Sequence, residues 1–191
     1  MAGDSVSNVI SARELGHRFQ QNWLFRHVEL EVKAGDVLVV SGTNGSGKST
    51  LLKVLAGLVR PLEGHVVRPE RIGYAAIDLA LYPQLSAKEH LELAAQLRGG
   101  KTEGLLERVG LPKTGNKPVG SFSTGMRARL KLAMALQHSP ELLILDEPTA
   151  ALDEAGRELI GAVLKVFDGA VILATNDPSD KKWGTHELIL D

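Results

Sequence analysis

The 191-residue chain is 43% hydrophobic, enough for one domain with a substantial core. Its 22 basic and 23 acidic residues give a formal net charge of -1, which leaves no electrostatic case for a nucleic-acid partner. Cysteine is absent, so disulfides and thiol chemistry are excluded, and a reducing compartment is compatible.

In chain order, the opening MAGDSVSNVI carries Asp4 and no basic stretch leading into an apolar run, so no secretory signal is expected. Residues 9–15 and 24–32 are β-patterned. In the second, Val28, Leu30 and Val32 alternate with His27, Glu29 and Glu31, the period of a half-buried strand. Ala34-Gly35-Asp36 reads as a turn. VLVVS follows, a β-branched run suited to a strand buried on both faces. It leads into GTNGSGKST and an amphipathic helix over 49–58, with Leu51, Leu52, Leu55 and Leu58 at helical spacing, closed by Pro61 and Gly64.

Ser86-Ala87-Lys88-Glu89 has the capping-box pattern and opens a predicted helix to Leu97, ended by Gly99-Gly100. A second helical piece over 103–109 precedes a loop rich in Gly, Pro and Lys over 110–120. A third helix runs from Ser123 to His138, with Pro140 beyond it. ELLILD then reads as a buried strand, 147–151 as a turn and 153–167 as a helix. AVILAT reads as another buried strand ending in Asn176-Asp177-Pro178, and HELILD as the last strand. The longest apolar runs, VLVV and LLIL, fall far below the roughly 20 residues of a membrane span, so a membrane role is expected only through a partner. Strands alternating with helices predict an α/β domain with a mainly parallel sheet. Residues 78–122 read as an inserted helical lobe within a single domain spanning 1–191, whose core is 1–77 and 123–191.

Gly42-Thr43-Asn44-Gly45-Ser46-Gly47-Lys48-Ser49, followed by Thr50, matches G-x-x-x-x-G-K-[ST] between a buried strand and a helix. Glycines let the backbone curl so that N–H groups face phosphate oxygens, and the helix N-terminus adds partial positive charge. Lys48 suits the β- and γ-phosphates, and the Ser49 hydroxyl suits Mg2+. The plainer reading is a Gly-rich turn. Leu142 to Glu147 is an apolar strand ending in two acids. Asp146 fits the Mg2+-holding carboxylate on a strand beside a phosphate loop, and Glu147 fits a group that orients or deprotonates water. The plainer reading is that both acids cap a turn before Pro148.

FSTGMRARLKLAMAL, followed at once by ELLILDEPTAALD, resembles the ATP-binding cassette of ABC transporters, and the resemblance covers nearly the whole chain. The compact length and LFRHVELEVKAGDVLVVSGTNGSGKSTLLKVLAGL are similar to the haem-exporter (cytochrome c biogenesis) ATP-binding subunits. The resemblance implies a P-loop NTPase core with an N-terminal antiparallel β segment. It places Ser123, Thr124 and Gly125 in the signature segment that contacts the γ-phosphate of ATP on another subunit. Thr124 stands where the family has its first glycine, and Met126 where it has glutamine. Ser123 also suits the N-cap of the next helix. Asp153 matches the aspartate at the dimer seam and equally suits an N-cap. Phe19 falls where an aromatic stacks on adenine, or is an ordinary core or surface residue.

Two family residues are replaced. Ile77 stands at the usual glutamine and cannot ligate Mg2+, and Gln84 lies seven positions beyond it. Asn176 stands at the usual histidine, offering an uncharged N–H2 donor. The resemblance implies an ATPase subunit with Mg2+ and ATP, working as a homodimer or heterodimer of cassettes at the cytoplasmic face of a membrane. It would power a separate integral-membrane permease, with slow hydrolysis retained because Lys48, Asp146 and Glu147 are intact. Rival readings are an ATP-binding clamp or regulatory subunit with weak or no hydrolysis, a soluble non-transport ABC ATPase, and a P-loop kinase.

Overall fold

A computed structural model describes residues 8–191. Residues 1–7, which carry most of the stretch read as lacking a secretory signal, lie outside the described residues. Strands β1 (Asn8–Phe19) and β2 (Asn22–Lys33) form a long antiparallel hairpin. Strand β3 (Val37–Gly42) and helix α1 (Lys48–Leu55) flank the GTNGSGKST loop, and β4 (Glu63–Val67) returns to pair with β1. The hairpin extends well past the two segments predicted from apolar alternation. Polar pairs cross the hairpin and its β4 neighbour: Arg13 bridges Glu29 and Glu31, and Arg26 holds Glu63 while lying 4.4 Å from the Trp23 ring centroid. Strand β4 was not predicted. It is short and mostly exposed, and its EGHVV lacks a clear period.

Strand β5 (Ile72–Ala76) is followed by α2 (Ala87–Arg98), α3 (Leu105–Arg108) and α4 (Thr124–Leu136). Then come β6 (Leu142–Asp146), α5 (Glu154–Lys165), β7 (Ala170–Ala174) and β8 (His186–Leu190). The second sheet has the order β5-β6-β7-β3-β8 and is parallel throughout. This corrects one expectation. The Asp146 strand is not the neighbour of the phosphate-loop strand, because β7 lies between β6 and β3.

Strands β3, β6 and β7 are buried on both faces, which is why they read as continuous apolar runs, whereas the edge strand β8 is largely exposed. Leu143 and Leu145 face one cluster with Leu91, Leu130, Ile160 and Val163. Leu142 and Ile144 face the other with Ile10, Leu15, Leu51 and Leu52. Successive side chains thus serve opposite layers. Truncating one of these leucines to alanine is expected to cost about 2–5 kcal/mol.

Local signals set the helix ends. The capping box at Ser86 is complete: its hydroxyl accepts the Glu89 N–H at 3.2 Å, and Glu89 accepts the Ser86 N–H at 2.7 Å. Helix α1 stops at Leu55, short of the predicted Leu58. Gly57 takes a φ of 78°, a left-handed turn that ends the helix, and Leu58 is left exposed. Helix α3 is also shorter than predicted and starts only at Leu105. Among the described residues no helix is long and apolar enough to cross a membrane.

Candidate nucleotide site

The phosphate loop leaves the C-terminal end of β3, the edge where open parallel sheets bind ligands. Gly42 starts the curl with a φ of 151°, and a Cβ there would lie 2.1 Å from the Leu190 carbonyl oxygen. Lys48 is buried, and its ammonium donates to the Gly42 and Thr43 carbonyls at 2.9 and 3.0 Å. The Leu51 N–H to Gly47 carbonyl bond begins the ladder of α1. The N–H groups of Lys48, Ser49 and Thr50 therefore lack intrahelical acceptors, and no acid sits in the first turn. The Ser46 hydroxyl is buried without a partner. Backbone donors, a cation and a helix dipole with no competing anion are a combination suited to a phosphate.

Asp146 ends β6 and is 7% exposed. Burial raises its carboxyl above the usual range, the nearby Ser49 hydroxyl opposes this, and Asp78 adds to it. Its Oδ1 is buried with no hydrogen-bond partner. An orphaned carboxylate oxygen beside a serine hydroxyl fits a hard divalent cation such as Mg2+. Among the described residues no group of three or more His, Asp or Glu side chains forms an all-protein cage. Phosphate oxygens and water would complete the coordination, as Mg2+ prefers.

Glu147 follows with a φ of 48°, a left-handed conformation costly for a residue with a side chain. Pro148 disfavours the right-handed helical region for the residue before it. The Glu147 N–H is tied to the Ala174 carbonyl at 2.9 Å, so the turn is anchored on the end of β7. Burial raises the Glu147 carboxyl, while the nearby Asn176 N–H and Lys48 pull it back. A carboxylate so placed is a stronger proton acceptor than a solvated glutamate.

Asn176 lies in the turn after β7. Its side-chain amide donates to Asn44 Oδ1 of the phosphate loop at 2.5 Å. The fold thus brings Asn176, Glu147 and the loop to one edge of the sheet. Ile77 is different. Its side chain is 60% exposed, and its carbonyl, with that of Ala76, accepts from the Lys131 ammonium of α4. Gln84 is exposed on the loop beyond. A cavity of about 440 Å3 opens beside Asp146 and Glu147, with Ile77, Leu81, Thr124 and Lys131 also in its wall. No phosphate-loop residue lines it.

Ser123 caps α4, its hydroxyl accepting the Met126 N–H at 3.2 Å. Thr124 faces the cavity, and Gly125 packs on Ala151, where a Cβ would lie 3.0 Å from the Ala151 oxygen. Among the described residues no hydrogen bond joins this segment to the phosphate loop of its own chain. Asp153 caps α5 by accepting the Gly156 N–H at 2.9 Å. Phe19, at the hairpin end, is 69% exposed. Sequence reasoning missed Lys131, the Asn44–Asn176 pair, and a buried cluster of Thr149, Thr175 and Asp180. The only local signal for the cluster is Thr175, a polar residue directly after the buried strand β7.

The parallel sheet, the phosphate loop and the paired acids define a P-loop nucleotide-binding protein. The chain belongs to the ABC transporter family, whose description matches residues 25–150. It is 36% identical over 191 residues to the bacitracin transport ATP-binding protein BcrA of Bacillus licheniformis, covering 90% of this chain and 62% of that protein. It is 33% identical over 178 residues to the cytochrome c biogenesis ATP-binding export protein CcmA of Hyphomonas neptunium, covering 91% of this chain and 92% of that one. The fold matches a solved dimeric, post-hydrolysis ATP-binding cassette bound to ADP and Pi. The TM-score is 0.83 at 23% identity, over 95% of this chain and 94% of that one. The chain spans about three-fifths of the length of the bacitracin relative.

Proposed function

We propose that the chain is the ATP-binding and ATP-hydrolysing subunit of an ABC transporter, driving a separate integral-membrane permease through ATP-dependent dimerisation. The observation that carries this is the meeting of Lys48, the unpartnered Asp146 oxygen and Glu147 at one sheet edge. The relatives named for bacitracin transport and for export in cytochrome c biogenesis support the transport role.

In this reading the N–H groups of residues 42–50 and the Lys48 ammonium hold the β- and γ-phosphates. Ser49 and Asp146 hold Mg2+, which when bound neutralises phosphate charge. Glu147 accepts the proton of the attacking water, and Asn176 donates toward the γ-phosphate. Phe19 stacks on adenine. Ser123, Thr124 and Gly125 of one cassette meet the γ-phosphate on the other, with Asp153 at the seam. The helical stretch 78–122 forms a lobe, and the pair of cassettes sits peripherally at the cytoplasmic face of the membrane.

A second reading, an ATP-dependent clamp with weak hydrolysis, is favoured by the exposed, non-ligating Ile77 side chain and the uncharged Asn176. Sedimentation of the Glu147→Gln variant with and without Mg2+-ATP tests what both readings share. The expected result is an ATP-dependent dimer. A chain that neither binds ATP nor changes its association state would overturn both. Phosphate release by the wild-type chain separates them.

A further inference from the structure

We infer that Asp180 is a positioning residue for ATP hydrolysis: its buried carboxylate joins the turn that carries Glu147 to the turn that carries Asn176. The inference rests on the ATPase reading above.

Asp180 is 1% exposed. A carboxylate so buried is costly unless it is paired and hydrogen-bonded. Its partners come from three separate elements. The Thr149 hydroxyl, two residues after Glu147, donates to Oδ2. The Thr175 hydroxyl, directly before Asn176, donates to the same Oδ2 at 3.0 Å. Arg157 Nη1 of α5 lies 3.5 Å from Oδ1 and offsets part of the charge, shared with Asp177. Both threonines are buried, at 1% and 0% exposure, so water does not compete for these bonds.

One oxygen shared by two hydroxyls fixes the spacing between the turns. The second turn is itself tightly built. Thr175 accepts the Asp177 N–H at 3.0 Å, and the Asp180 N–H donates to the Asp177 carbonyl at 3.1 Å. Arg157 also holds Asp177 and the Ser179 hydroxyl. Glu147 sits at the far end of this brace in a left-handed conformation, which persists only where surrounding contacts over-determine it. The brace contacts no phosphate-loop residue. Its link to the loop runs only through Asn176, which reaches Asn44, so it acts chiefly on where Glu147 and Asn176 stand for the chemical step and little on how tightly ATP binds.

The test uses Thr149→Val and Thr175→Val, singly and together, with Thr149→Ser and Thr175→Ser as conservative controls. Valine keeps the shape and removes the hydroxyl, and serine keeps the hydroxyl. Each valine is expected to lower kcat about tenfold and leave equilibrium ATP affinity within about threefold. The double variant should lose no more than the worse single one, because the link breaks once. Serine should restore most of the rate. If a valine variant does not fold, Asp180→Asn takes its place, with the same expected loss of kcat. Valine variants within about twofold of wild-type kcat, serine as damaging as valine, or additive losses would overturn the role of Asp180. Wild-type turnover no higher than that of Glu147→Gln would instead overturn the ATPase reading itself.

Discussion

The phosphate loop draws its contributing groups from one continuous run, Gly42 to Thr50. The proposed catalytic side draws Glu147 and Asn176 from two separate turns, joined by Thr149, Thr175 and Asp180. Both lie at the C-terminal edge of the same parallel sheet. The loop is held mainly by its own backbone and by Lys48 folding back on Gly42 and Thr43. The other side is held by contacts distant in sequence. On the proposed function, the first construction would carry binding, with Asn176 on Asn44 as its contact from a distant turn. On the same reading, the second would make the rate of chemistry depend on tertiary contacts.

The largest way to break this division is at the loop. Lys48→Ala removes a buried, charge-assisted donor and is expected to weaken ATP binding by about 100-fold, read by equilibrium titration. An affinity within about threefold of wild type would mean the loop does not carry binding. On the other side, Asn176→His should raise turnover by about threefold, because imidazole adds a chargeable donor at the same turn. An unchanged or lower rate would show that position 176 is not limiting.

Ser86→Ala touches neither region. It should cost about 1 kcal/mol through the lost cap, a fall in Tm of about 2–4 °C, with kcat and ATP affinity unaltered. A change in either kinetic quantity would blur the division. The smallest effect concerns acid stability. The Ser179 N–H and hydroxyl, and then Arg157, hold the Asp177 carboxyl at about 2, below its usual 3.8. A lowered folded-state value means the contribution is full above pH 3.8 and is lost as pH falls toward about 2. Asp177→Asn should therefore flatten the loss of stability across that window in acid-unfolding curves. Unaltered curves would show that these contacts do not discriminate the charged form.

What was legible in the sequence divides along the same line. The phosphate loop, the Asp146-Glu147 pair, the Ser86 capping box and the N-caps at Ser123 and Asp153 are local patterns, and each appears where its residues predict. The alternating parallel sheet was also readable, because β6 and β7 are apolar on both faces. The insertion of β7 between β6 and β3 was not, since strand order is set by pairing across the chain. Strand β4 lacked a period to read. Asn176 and Asn44 meet across 132 positions, and nothing local to either predicts the contact. Asp180, in the stretch DPSD, reads as an ordinary turn residue until three elements close around it.

ATP turnover of the wild-type chain and of Glu147→Gln, measured side by side at saturating Mg2+-ATP, bears on all of this at once. The expected result is about 100-fold lower turnover in the variant, with ATP affinity within about threefold of wild type. Equal turnover in the two proteins would contradict the assignment of Glu147 as the proton acceptor and leave the chain an ATP-binding clamp.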